Sequence, residues 1–63
     1  MDQVVSAEVD GKTFAGRYEV KAGCVIVRYV RSDGHFAQKT APIADSADDT
    51  ARTLLRELVL EVG

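Results

Sequence analysis

A thiol and an imidazole are the side chains best suited to nucleophilic catalysis, and this chain has one of each, Cys24 and His35. A cysteine nucleophile needs a base within hydrogen-bond reach. These two fall at opposite ends of one apolar run and are expected to lie apart, so Cys24 reads as a small sheet residue. Carboxylates are plentiful, and Asp45, Asp48 and Asp49 crowd one segment. That segment lacks the alternating oxygen ligands and central glycine of a calcium loop, and a helix start accounts for its acids. There is no phosphate loop and no dinucleotide fingerprint. No catalytic residue, cofactor or metal site is assigned, and an enzyme is not expected. The remaining chemistry lies in the basic side chains, chiefly Arg17, Arg28 and Lys39, and in what positions them.

Glycines set those positions. Gly11, Gly23 and Gly34 each follow a short alternating apolar run, two of them within Asp-Gly pairs. Asp-Gly suits a two-residue hairpin turn, whose central positions both require positive φ. A turn at Asp10-Gly11 pairs Val9 with Lys12, Ala7 with Phe14 and Val5 with Gly16. Alternation then places Val5, Ala7, Val9, Phe14, Tyr18 and Val20 on one face. A turn at Ala22-Gly23, or a four-residue loop from Lys21 to Cys24, pairs Val20 with Val25 and adds Val27 and Tyr29. A three-residue loop ending at Gly23 would instead turn Arg28 inward, and is rejected for that reason. A turn at Asp33-Gly34 pairs Arg31 with Phe36, so Phe36 completes the inner face from an edge strand of about His35 to Thr40. Lys39 and Pro42 suit such an edge.

Beyond Pro42 a helix is expected over about 46–62. Ser46 with Asp49 resembles a capping box, and Asp48 and Asp49 suit the positive end of the helix dipole. Ala47, Ala51, Leu54, Leu55, Leu58 and Val62 recur at helical spacing, Val59 flanks them, and Gly63 stands where a C-cap glycine would. The apolar stripe needs the inner face of the sheet. The fold class is therefore α+β: an antiparallel three- to four-stranded β-meander over about 3–40 with a C-terminal helix on one face, one domain in all.

With the inner face used by the core, the outer face presents Val4, Ser6, Glu8, Thr13, Ala15, Arg17, Glu19, Cys24, Ile26, Arg28, Val30, Ala37 and Lys39. Two readings follow. Val4, Ala15, Ile26 and Val30 make the face more apolar than solvent requires, which marks an interaction surface; Leu60, on the far side of the helix, is a secondary contact. The leading expectation is thus a non-enzymatic protein-interaction module, either a homodimer or bound to another protein. In the alternative, Arg17 opposite Arg28 and Arg28 opposite Lys39 form a row of cations for a nucleic acid or another anion. Like charges directly opposite one another destabilise a sheet, which gives the row meaning. An ordinary solvated face, with Glu8 and Glu19 as diagonal counterions, is the plainer account of it.

Composition bounds both readings. A chain of 63 residues buries only about 60% of its unfolded surface, and a lone cysteine supplies no disulfide. The net charge of −2 argues against general nucleic-acid affinity. Its sheet half is near neutral, with six Lys and Arg through Thr40 against five acids, while the remainder is acidic. The opening Met1-Asp2-Gln3 lacks the basic start and apolar core of a signal peptide, and no apolar run is long enough to span a membrane. A cytoplasmic, bacterial protein is expected.

The phrases Val9-Asp10-Gly11-Lys12-Thr13-Phe14 with Gly16 and Tyr18, Val25-x-Val27-x-Tyr29, and Leu54-Leu55-Arg56-Glu57-Leu58 resemble small uncharacterised bacterial proteins of strand-meander-plus-helix type. The likeness spans most of the chain but rests on turn and core residues, so it implies a fold and no site. A looser likeness in topology is to domains that read DNA with a three-stranded sheet backed by a helix, as in plant AP2-type factors and some integrase arms. This chain differs from them in its lack of tryptophan, its fewer basic residues and its negative charge.

Overall fold

The structure, a computed structural model, describes residues 3–31 and 33–62. Four antiparallel strands in the order β1-β2-β3-β4 form one open sheet: β1 (Gln3–Val9), β2 (Lys12–Lys21), β3 (Cys24–Val30) and β4 (Phe36–Pro42). The helix α1 (Ala47–Val62) packs on one face. Gly63, expected as the C-cap, lies outside the described residues, as do Met1, Asp2 and the side chain of Val62.

The first two hairpins close as the turn chemistry demands. Asp10 and Gly11 have φ of 52° and 77°, and Ala22 and Gly23 have 53° and 77°. Both turns therefore have two left-handed central residues, whose twist matches that of the flanking strands. The resulting register is Val9↔Lys12 through Gln3↔Tyr18 in the first hairpin, and Lys21↔Cys24 through Arg17↔Arg28 in the second.

The third connection departs from expectation. Val30 pairs with Phe36 and Tyr29 with Ala37, one residue away from the Arg31–Phe36 pairing. Asp33-Gly34 is not a two-residue turn here. The Gly34 N–H donates to the Arg31 carbonyl at 3.0 Å, and the Arg31 N–H donates to the His35 carbonyl at 2.7 Å. The Asp33 Oδ1 accepts the His35 N–H at 3.0 Å, so the aspartate braces the loop through its side chain. The loop has one more residue than the two-residue turn, and Gly34 takes the left-handed conformation that closes it, at φ 92°. A one-residue slip turns every side chain of a strand over. Phe36 consequently faces outward, and Ala37, Lys39 and Ala41 face the helix.

The core explains why this register wins. Val5, Ala7, Tyr18, Val25 and Val27 are buried from the sheet, and Ala51, Leu54, Leu55, Leu58 and Val59 from the helix. Val9, Phe14, Tyr29, Ala37, Ala41, Ile43 and Ala47 pack around them. Small residues on β4 let the helix lie close, where Phe36 would hold it off. Ile43, not assigned to any element in the sequence reading, adds to the core. Val20 was expected inside but is 45% exposed, because α1 touches β2 least and leaves its end uncovered.

The helix begins where the sequence places it. The Asp49 N–H donates to the Ser46 Oγ at 3.1 Å, satisfying one of the amides left free in the first turn. Thr50 is buried, and its Oγ1 accepts the Ala44 N–H at 3.1 Å, tying the β4–α1 connection to the helix.

Candidate functional site

The outer face of the sheet collects side chains from all four strands. Val4 lies opposite Arg17, Arg17 opposite Arg28, and Arg28 opposite Gln38, forming one row across the sheet. The first two cations stand as the spacing predicts. The third does not. Lys39 pairs with Val27 on the helix side, because the longer β3–β4 loop inverts its strand, so no row of three cations exists. Gln38 takes its place, and its Oε1 accepts a hydrogen bond from the Arg28 Nε at 3.2 Å. Ala37, also assigned to the outer face, has moved inward with Lys39.

Lys39 is occupied on its own side. Its Nζ lies 3.0 Å from Glu57 Oε1 and donates to Glu61 Oε2. Hydrogen bonds to Glu61 and then Glu57 hold its pKa above the ordinary 10.5. A cation favoured in the folded state stabilises fully below its unfolded pKa, and that contribution is lost as pH rises through the raised folded value. The melting temperature of the wild type should exceed that of Lys39→Met by a constant margin near neutrality. The margin should narrow in thermal melts taken above pH 10.5; an unchanged margin there would contradict the ion cluster.

Asp48 and Asp49 on the helix and Asp33 in the β3–β4 loop are also engaged. Arg52 reaches Asp48 at 2.8 Å and Asp49 at 3.5 Å, while Arg31 lies 3.8 Å from Asp33. The Asp33 carboxyl is held below its usual range by the His35 backbone N–H first and the His35 side chain second. Arg17 and Arg28, by contrast, form no ion pair among the described residues.

The apolar part of the face is larger than the sequence indicates. Val4, Ala15 and Val30 line a shallow depression of about 440 Å³ together with Gly16, Arg17 and Arg28. Val4 is 70% exposed and Val30 66% exposed. Phe36, directly opposite Val30, is 69% exposed and extends the same surface. Sequence reasoning missed Phe36 because it placed that ring in the core. Ile26, between Glu19 and Thr40, is half-buried on this face. Leu60 is exposed but lies on the other side of the sheet, beside Val9, Lys12 and Phe14. It cannot share a flat contact with Val4 and Val30.

Cys24 and His35 stand at opposite ends of the β3–β4 hairpin, so the thiol and imidazole do not meet. Among the described residues no group of three or more His, Cys, Asp or Glu side chains could hold a metal ion, and no helix is long and apolar enough to cross a membrane. No protein-family model matches the chain, and no curated protein or solved structure matches it with statistical significance.

Proposed function

We propose that this protein is a non-enzymatic interaction module that binds a protein partner through the outer face of its sheet. The observation that carries this reading is the exposure of Val4, Val30 and Phe36 on one face around the Ala15 depression. Strand propensity alone places β-branched residues on solvated sheets. It does not gather them with an exposed phenylalanine around two arginines, and clustered apolar surface of this kind is typical of contact sites. The broken cation row weakens the nucleic-acid alternative, since a backbone-tracking groove needs a continuous run of positive charge.

Photo-crosslinking in the native host tests the proposal. A photoreactive side chain at Val30 should give a discrete adduct, and one at Thr53, exposed on the helix, should not. An adduct at twice the 6.8 kDa chain mass would identify a second copy as the partner. Equal, diffuse labelling from both positions would remove the outer face as a contact site.

A further inference from the structure

The two arginines define the partner's chemistry, given that the outer face is the contact surface proposed above. Arg17 and Arg28 are direct cross-strand neighbours, an arrangement that costs stability when nothing neutralises it. The acids of the helix are held by other cations, Asp48 and Asp49 by Arg52 and Glu57 and Glu61 by Lys39. On the outer face itself the acids are Glu8, opposite Thr13, and Glu19, two residues along from Arg17 and diagonal to Arg28, and neither forms an ion pair with the two arginines. The depression that both arginines line is otherwise formed by Val4, Ala15, Gly16 and Val30 and has no acid in its lining among the described residues. Guanidinium groups lay their stems along apolar surface and present a fork that matches a carboxylate.

We infer that the occupant of this face is an acidic segment of a partner protein, with apolar side chains on Val4, Val30 and Phe36 and a carboxylate bridged by Arg17 and Arg28. A second copy of this chain fits less well. Two copies packed depression against depression would bring four arginines together with no acid among the described lining residues, and burying unpaired like charges is costly. The helix side, where the chain's paired acids lie, could meet the outer face only head to tail, in a ring or a filament, and only by drawing those acids away from Arg52 and Lys39.

Backbone NMR titration with three probes tests the inference: a peptide of leucine and glutamate, the same peptide with glutamine for glutamate, and oligothymidylate. The acidic peptide should shift the amides of Val4, Ala15, Arg17, Arg28 and Val30 and leave those of the helix unmoved. Arg17→Ala or Arg28→Ala should each weaken it roughly tenfold, the worth of one charged hydrogen bond. Both sites are exposed, and unchanged helical circular dichroism confirms that the variants fold. Equal affinity for the glutamine peptide overturns the acidic requirement and leaves the contact surface standing. Tighter binding of oligothymidylate, or no shift with any probe, overturns the inference. So does a concentration-dependent doubling of mass that Val30→Asp abolishes. Loss of the contact surface itself would show instead in the crosslinking, which does not depend on charge.

Discussion

Leu55→Ala is expected to cost about 2–5 kcal/mol, the range for truncating a fully buried leucine. Leu55 is among the largest side chains with no exposed surface, together with Val25 and Val27. It lies in the buried helical stripe beside Ala51, Leu54 and Leu58, and its Cδ atoms reach across to the strand at Gly16. A domain of this size has a total stability of roughly 3–9 kcal/mol at the usual per-residue scale. The variant should therefore be largely unfolded or lose most of its urea midpoint, read by helical circular dichroism. Val20→Ala, at a position the helix leaves uncovered, should change stability by about 0.5 kcal/mol or less. Similar losses at the two sites would show that the helix does not pack as described.

Gly16→Val carries the second large effect. A Cβ at this position would stand 2.8 Å from the Arg28 carbonyl oxygen and 3.0 Å from Leu55 Cδ1. The leucine can rotate away, but the carbonyl belongs to the neighbouring strand and cannot move without disturbing the sheet. Gly16 also marks the point where β2 parts from β3: pairing with β3 begins at Arg17, and the earlier residues pair with β1 alone. Alanine should cost about 1–3 kcal/mol, the usual range for overpacking. Valine, with two further carbons, should cost more, again read as the urea midpoint. A midpoint equal to that of the wild type would show that the strand and helix do not approach so closely.

Much of this architecture was legible in the chain. The Asp10-Gly11 and Ala22-Gly23 turns act through local backbone chemistry, and local chemistry is what a sequence states directly. From those two turns came the pairing of Val5 with Gly16, of Val20 with Val25, and of Arg17 with Arg28, all of which the structure contains. The helix was equally plain, since Ser46 caps it and Ala51, Leu54, Leu55 and Leu58 mark the buried stripe.

Asp33-Gly34 was not legible, although it repeats the dipeptide of the first turn. The same two residues close a two-residue turn when the aspartate takes positive φ, and a longer loop when its carboxylate accepts the His35 N–H instead. The local energies of these choices are close, so distant contacts decide between them. Ala37 and Ala41 fit beneath the helix, Lys39 reaches Glu57 and Glu61 across it, and Phe36 is released to the outer face. The candidate site followed the same division. Turn chemistry determined that Arg17 and Arg28 stand side by side, whereas helix packing decided what surrounds them: Gln38 where a third cation was expected, and an exposed phenylalanine in place of a buried one. Local chemistry sets register only where one turn type is favoured by more than packing can return. At the third turn it was not, and the sequence alone could determine the strands and the helix but not which way the last strand faced.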